Sequence, residues 1–573
     1  MHAEAQKWID RDPDPETRAE LEALVANNDE QEINRRFCAR LSFGTAGLRG
    51  LLGAGPRRMN RLVVQETTAG LANYILKNIN GCLEKGVVIA YDGRHKSERF
   101  AQDAACILTA FGLKVLLGTE PFPTPLCPFA MRYFGAAAGI VVTASHNPKN
   151  YNGYKVYWEN TAQIIPPHDQ GIAEAINKIA GTNLPRLTIS EAREMGLLHP
   201  FGPLVVDAYL REVLKLTAHP ETRGISPLKL AYSPLHGVGG KIALSAIKHA
   251  GFNNTWPVES QIEIDPNFPT VDFPNPEEPG ALDELLKLAA EKEVDLALAN
   301  DPDADRLAVA ARDASGNYRI LNGNEIGVLL GADLIKTYPK SAIVGSTIVS
   351  SRLLSRIAKA HGIDYFDTLT GFKWIANRAI AEEHKGKNFL MGYEEAIGYT
   401  IGNLVRDKDG ISALVAFCLH AARLYNQGQT ILGLLESIYQ EYGYHYTQQI
   451  SLTFDEGSDL SGIGEKLRKN LPQTMADLAV VRIHDYQTQQ VLSPQGAKLE
   501  AIDLPKSDVL AFDLEEQTRI IVRPSGTEPK LKLYYELTET FAKDDTWSDV
   551  EAKADKRFKL LSDKHVREIR ALL

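Results

Sequence analysis

Five cysteines in 573 residues, at positions 38, 82, 106, 127 and 418, form no Cys-x-x-Cys pair. Zinc-ribbon and dithiol redox chemistry are therefore not indicated, and a reducing, cytoplasmic setting is expected. No apolar run approaches the roughly 20 residues that a bilayer-spanning helix needs. The opening residues Met1 to Lys7 lack an apolar signal region, so neither membrane insertion nor export is expected. Basic charge is not in excess either: 63 Lys and Arg stand against 73 Asp and Glu, for a net charge of -10. That balance argues against a nucleic-acid partner. There is no low-complexity tract and no fixed-period repeat of the solenoid kind. A Walker A loop is missing as well, because Gly237-Val238-Gly239-Gly240-Lys241 lacks the first glycine and the hydroxyl residue after lysine. A nucleoside triphosphate is not indicated.

What the chain does contain is a succession of α/β patterns. Its length exceeds what one hydrophobic core supports, given a prior of about 100 to 200 residues per domain. Residues 1–40 read as a polar helical packing arm, with Asp14-Pro15-Glu16 marking a helix start. Over 41–200, apolar β-branched runs at 86–91, 113–117 and 138–142 alternate with helical patterns, which indicates a sheet buried on both faces. The pattern restarts over 201–315, with strands at 228–233 and 294–299, and again over 316–445. From 446 to 573 the texture changes to alternating strands, and an α+β domain is expected.

Val141-Val142-Thr143-Ala144-Ser145-His146-Asn147-Pro148 places a serine on a sharp turn after a buried-type run. Alone, this is ordinary turn chemistry, since Pro148 biases Asn147 away from helix. No Gly-x-Ser-x-Gly elbow surrounds Ser145, so hydrolase chemistry is not favoured and phosphoryl transfer remains. Asp301-Pro302-Asp303-Ala304-Asp305-Arg306 follows the strand expected at 294–299, where loops at the carboxyl ends of α/β strands form binding crevices. Asp301, Asp303 and Asp305 offer hard oxygen ligands for Mg²⁺ or Mn²⁺; a solvated acidic turn is the alternative. The EF-hand reading fails because Arg306 occupies the glycine position. With one oxygen from a phosphorylated Ser145 added, such a cation would draw charge from the phosphoryl group.

Three further segments fit this chemistry. Arg523-Pro524-Ser525-Gly526-Thr527 joins Arg523 to two hydroxyls and backbone amides, and with Lys530 and Lys532 nearby it reads as a cradle for a dianion rather than a plain hairpin turn. Gly392 to Gly398 carries Glu394 and Glu395, suited to vicinal sugar hydroxyls, with an exposed acidic turn as the competing reading. Phe43 to Gly50 supplies Arg49, either a cation facing the transferring phosphoryl group or a surface arginine.

In their order along one chain these motifs resemble the α-D-phosphohexomutase superfamily of phosphoglucomutases and phosphomannomutases. Thr143 to Pro148 is similar to its phosphoserine loop, Asp301 to Arg306 to its metal loop, Tyr393 to Ala396 to its sugar-specificity loop, and Arg523 to Thr527 to its distal phosphate site. Asp92-Gly93-Arg94 and Leu235-His236-Gly237-Val238-Gly239 are similar to accessory motifs, with a structural role preferred for His236. The resemblance implies three consecutive α/β domains with mixed sheets around a central cleft, followed by a C-terminal α+β domain. It also implies an intramolecular phosphotransferase with one Mg²⁺ per site, a sugar bisphosphate as intermediate and activator, and a monomer or homodimer acting on small sugar phosphates.

By position, Ser145, His146, Lys155, Arg49 and Lys408 make up the catalytic group that the resemblance implies, with Lys155 and Lys408 as proton-handling candidates. A lysine buried beside other cations is expected to have a lowered pKa, which would suit that role. Arg306, Thr370, Gly371, Lys373, Glu394 and Glu395 fall to sugar-phosphate binding, and Arg523, Ser525, Gly526, Thr527 and Lys532 to the second phosphate. Ala396 stands where many hexose-specific members have serine, and the N-terminal arm resembles the subgroup that also holds phosphopentomutase-like and glucose-bisphosphate-forming enzymes. Glucose 1-phosphate and 6-phosphate are the expected pair, with ribose or mannose phosphates as alternatives. A phosphosugar-binding regulator without turnover is the reading from a different class, and a phosphatase is another; the intact Ser145 and aspartates argue against the regulator.

Overall fold

The computed structural model describes residues 2–41, 47–217, 226–338, 341–454, 461–524 and 530–572. They divide into two compact units, one formed by Met1–Ile326 with Gly371–Gly428 and the other by Gly327–Thr370 with Gln429–Leu573. Among the described residues, no helix is long and apolar enough to cross a membrane.

The N-terminal residues form helices His2–Ile9, Pro15–Ala26 and Glu30–Phe37. Asp14 caps the second by accepting from Glu16 N at 3.1 Å, and Pro15 occupies the first turn, where a missing N–H costs nothing. Trp8, Leu21 and Ile33 lie in the same core as Val87, Ile89, Ile140 and Val142, so this segment packs onto the first sheet.

That sheet runs Leu48–Leu51, Tyr151–Tyr157, Ala138–Val142, Val87–Tyr91, Val115–Gly118, Leu198–Phe201. Its last four strands are parallel and the first two antiparallel. Every residue of Val87–Tyr91 and Ala138–Val142 is buried, as helices on both faces of a parallel sheet require. A second mixed sheet runs Tyr318–Leu321, Ala308–Arg312, Leu296–Ala299, Lys229–Ser233, Asn254–Pro257. Ser145 thus follows the carboxyl end of one central strand, and Asp301 to Arg306 follow the carboxyl end of another. The same unit holds the antiparallel pair Asn388–Glu394 and Gly398–Ile401, and helix Gly410–Asn426, capped by Asp409.

In the second unit, Ala342–Thr347 pairs in parallel with Asp364–Thr368. An antiparallel sheet orders Tyr444–Thr453, Lys530–Glu539, Thr518–Pro524, Leu510–Leu514, Leu478–Asp485, Gln490–Leu492, Lys498–Ala501. Leu561 and Ile569 of helix Trp547–Leu572 share its core with Ile483, Phe512, Ile520 and Leu533.

Candidate active site

Ser145 sits in the left-handed region at φ 52°, a conformation that costs energy for a residue with a Cβ and persists only where its surroundings fix it. Thr143 Oγ1 accepts from Ser145 N at 2.8 Å. The buried Arg94 donates to Ser145 O at 2.6 Å, to Pro148 O at 2.9 Å and to Asn147 O, so one guanidinium ties down the whole turn. Asp92 aims it, accepting from Arg94 N at 3.0 Å and Ser97 Oγ at 2.6 Å. The Ser145 hydroxyl donates to Asp301 Oδ2 at 2.9 Å and lies 3.1 Å from His146 Nδ1. Burial, with Arg306 and Arg49 nearby, pushes the His146 imidazole well below its usual range, so this ring is neutral.

Asp301, Asp303 and Asp305 are buried, and each offers a carboxylate oxygen within 4.8 Å of the others. Asp301 Oδ1 accepts from Arg306 N at 3.0 Å. Asp303 Oδ2 accepts from Thr124 Oγ1 at 2.6 Å and Lys155 Nζ at 2.9 Å. Asp305 Oδ2 faces Lys155 Nζ at 3.0 Å and Lys408 Nζ at 3.3 Å. The other oxygens, Asp303 Oδ1 and Asp305 Oδ1, are buried with no hydrogen-bond partner among the described residues. Buried polar atoms of this kind call for a partner, and converging carboxylate oxygens suit a hard divalent cation. Burial and the two neighbouring carboxylates push Asp301 well up; against burial, the Lys155 ammonium and the Thr124 hydroxyl hold Asp303 well below the usual range.

The expectation of lysines with lowered pKa is not met. Burial alone would depress the Lys155 ammonium, but Asp303 and Asp305 outweigh it and hold it above the usual lysine range. Lys408 is raised further, its burial overcome by Asp305, Asp407 and Glu394. Both lysines face more carboxylates than cations, and both are protonated. Asp407 accepts from Tyr157 Oη at 2.6 Å, Gln163 Nε2 at 2.7 Å and Lys408 N at 2.7 Å.

Arg49 Nη1 donates to Asn147 Oδ1 at 2.8 Å; burial pushes its guanidinium down to about 10, which still leaves it charged at neutral pH. Arg306 pairs with Glu277 at 3.1 Å, and its Nε lies 4.0 Å from both Asp301 Oδ2 and Asp305 Oδ1. Glu394 Oε1 accepts from Gly371 N at 2.8 Å, and burial raises its pKa. Glu395 follows it in the turn after Asn388–Glu394. Lys373 is buried, which lowers its pKa, and Lys408 Nζ lies 5.5 Å from the centre of the Phe372 ring.

The first unit therefore gathers Ser145, His146, Lys155, Arg49, Arg306, Lys408 and the three aspartates, and also holds Gly371, Lys373, Glu394 and Glu395. Thr370, Arg523 and Lys532 belong to the second unit, where Arg523 and Lys532 are directly opposed across Thr518–Pro524 and Lys530–Glu539. Like charges opposed on a sheet repel, and an anion relieves the repulsion. Ser525, Gly526 and Thr527, like Phe43 to Ala46, lie outside the described residues. Sequence reasoning missed Thr124, Tyr157, Gln163 and the role of Asp407. Thr124 lies 179 residues from its partner Asp303, and only its place between Pro123 and Pro125 marks it.

Comparison with known proteins settles the family. Residues 40–182, 207–316 and 322–442 match phosphoglucomutase/phosphomannomutase alpha/beta/alpha domains I, II and III, and residues 473–553 match the C-terminal domain. This chain belongs to the phosphoglucomutase/phosphomannomutase family. Membership makes it a mutase, an isomerase of the intramolecular phosphotransferase type, built from three α/β domains and a C-terminal domain. The chain is 37% identical over 558 residues to a phosphopentomutase from Homo sapiens, covering 94% of this chain and 91% of that protein. It is 38% identical over 509 residues to a phosphoglucomutase from Staphylococcus haemolyticus, covering 87% and 91%. In fold it is similar to a putative phosphomannomutase from Thermus thermophilus, with TM-score 0.66 at 21% identity, covering 91% of this chain and 99% of that one.

Proposed function

We propose that this mutase interconverts the 1-phosphate and 6-phosphate of a hexose, glucose first, through phosphorylated Ser145 and a bisphosphorylated sugar. The observation that carries the reading is the Ser145 hydroxyl, 2.9 Å from a carboxylate of the buried aspartate triad, on a turn that the Arg94 guanidinium holds rigid. Mg²⁺, held by Asp301, Asp303 and Asp305 with the Ser145 oxygen as a further ligand, supplies neutralising charge to the phosphoryl oxygens when bound.

The chain's own residues do the rest. Phosphoserine 145 gives its phosphoryl group to the free hydroxyl of the sugar monophosphate, and a proton moves in balance from that hydroxyl to the serine oxygen. The bisphosphate turns over, and Ser145 attacks its other phosphate. His146, neutral and 3.1 Å from Ser145 Oγ, takes the serine proton in that return step, the P–O bond to the sugar breaks, and a proton passes to the departing sugar oxygen to restore its hydroxyl. Protonated Lys155 and Lys408, with Arg49 and Arg306, surround the transferring group with fixed positive charge, a preorganised arrangement worth more in a buried site than in water. Glu394, Glu395, Gly371 and Lys373 are assigned to the sugar; Thr370 belongs with them, and Arg523, Ser525, Gly526, Thr527 and Lys532 are assigned to the second phosphate.

Ser145→Ala is expected to abolish isomer formation and labelling of the protein by a ³²P-labelled sugar bisphosphate, while sugar-phosphate binding persists. Unchanged turnover refutes the assignment, and sustained release of inorganic phosphate by the wild type would show a phosphatase instead. A pentose phosphate is the second reading. Ala396 removes a hydroxyl from the sugar loop, and the human phosphopentomutase matches 94% of this chain. Comparing kcat/KM across 1-phosphates of glucose, mannose, glucosamine and ribose decides between them.

A further inference from the structure

We propose that Thr124 is a positioning residue that turns Asp303 toward the divalent cation. This rests on the reading of the aspartate triad as a cation site. Asp303 has two carboxylate oxygens with opposite fates. Oδ2 receives Thr124 Oγ1 at 2.6 Å and Lys155 Nζ at 2.9 Å, while Oδ1 is buried with no hydrogen-bond partner among the described residues. The Thr124 contact falls in the short range of a hydroxyl donating to an ionised carboxylate. It is doubled by the backbone, since Thr124 N donates to Asp303 O at 2.9 Å. One residue thus grips both the main chain and the far carboxylate oxygen of Asp303, which fixes the side-chain torsion and the direction of Oδ1.

Lys155 cannot do this alone. Its ammonium is divided between Asp303 and Asp305, and its flexible stem leaves the direction of each carboxylate free. Its positive charge also opposes an incoming cation, whereas the Thr124 hydroxyl orients Asp303 without adding charge. The grip is itself rigid. Thr124 is fully buried, Pro123 and Pro125 restrict the backbone on either side, Phe122 N donates to Tyr91 O at 2.8 Å, and Cys127 N donates to Thr124 O at 3.1 Å. Groups that hold the far side of a metal ligand typically change metal affinity by about 10- to 100-fold when removed.

The test measures Mn²⁺ binding to the full chain, by the electron paramagnetic resonance signal of free Mn²⁺, for the wild type, Thr124→Val, Thr124→Ser and Asp303→Asn. Thr124→Val keeps the shape and loses the hydroxyl; its affinity is expected to fall about 10- to 100-fold, with Thr124→Ser close to the wild type. If Thr124→Val does not fold, Thr124→Ser and Thr124→Ala carry the same comparison, because both lack the methyl group and they differ only in the hydroxyl. Wild-type affinity in the hydroxyl-free variant, alongside weakened binding in Asp303→Asn, overturns the role of Thr124 and leaves the cation site standing. A wild type that binds no Mn²⁺, or an Asp303→Asn variant that binds it as tightly, overturns the cation site and this inference with it.

Discussion

Gly237→Ala tests whether the metal loop is held in place from behind. A Cβ at Gly237 would lie 2.3 Å from Pro302 Cα and 2.4 Å from Pro302 O. Carbon atoms pack at roughly 3.5 Å or more, so one side must retreat by about 1 Å. The obstacle is main chain between Asp301 and Asp303, and Pro302 O already accepts from Val238 N at 2.9 Å. A flexible side chain would swing away; this backbone carries the aspartates with it. Overpacking of this kind costs about 1 to 3 kcal/mol, within the 5 to 15 kcal/mol typical of a folded domain, so the fold survives. Catalysis is less tolerant, because a displacement of about 1 Å at reacting groups costs on the order of 100-fold in rate. The expected result is a fall of roughly 100-fold in kcat/KM for the preferred sugar 1-phosphate, equivalent to about 2.7 kcal/mol of transition-state stabilisation, with a small drop in Tm. Gly462→Ala, at a helical position whose added Cβ meets nothing within 4 Å among the described residues, is the control. A folded Gly237→Ala protein with wild-type turnover would refute the argument that the close approach of Gly237 to Pro302 seats the metal loop.

The legible parts of the site are those that one short loop supplies. Asp301, Asp303 and Asp305 alternate over five residues, and the strand before them is a plain apolar run, so composition and position both speak at that point in the chain. Ser145 is legible for the same reason, following a fully buried strand on a turn ended by Pro148. The supporting partners are not legible, because they come from far away in the chain. Lys155 reaches Asp303 across 148 residues, and Tyr157 reaches Asp407 across 250. No periodicity encodes such a meeting.

The protonation of the lysines is not legible for a related reason. Arg49, Arg94 and Arg306 suggest a cationic surrounding in sequence, but folding sets Asp303, Asp305 and Asp407 against the ammonium groups, and their charge outweighs that of the nearby cations. The N-terminal arm is legible as a helical packing arm, but not in the particular residues that it buries. Trp8, Leu21 and Ile33 lie too far apart in sequence to show that they share one buried surface with the first sheet.

Two further perturbations probe the network around the site and the C-terminal sheet. Asp407→Asn keeps the shape but offers one acceptor oxygen to the Tyr157, Gln163 and Lys408 donors, and buried donors left unpaired cost about 1 to 3 kcal/mol. A lower urea midpoint together with a lower kcat is expected, and an unchanged midpoint would show the network to be dispensable. His565 makes the pH-dependent case. It is fully buried on helix Trp547–Leu572, its Nδ1 lies 2.9 Å from Tyr535 Oη, and its Nε2 has no hydrogen-bond partner among the described residues. Burial pushes its imidazole down from 6.5 to about 4. The folded protein therefore resists protonation that the unfolded chain accepts, and the sign follows: the contribution is complete above about pH 6.5, falls as pH drops from there to about 4, and changes no further below that. The full span is on the order of 3 kcal/mol, of which about 2 kcal/mol is lost by pH 5. Urea unfolding at neutral pH and at about pH 5 should show the wild type losing that much more than His565→Asn, which keeps a polar group near Tyr535 but does not titrate. Parallel losses in the two proteins would mean that His565 is protonated as easily in the fold as out of it, which a ring sealed inside this core does not allow.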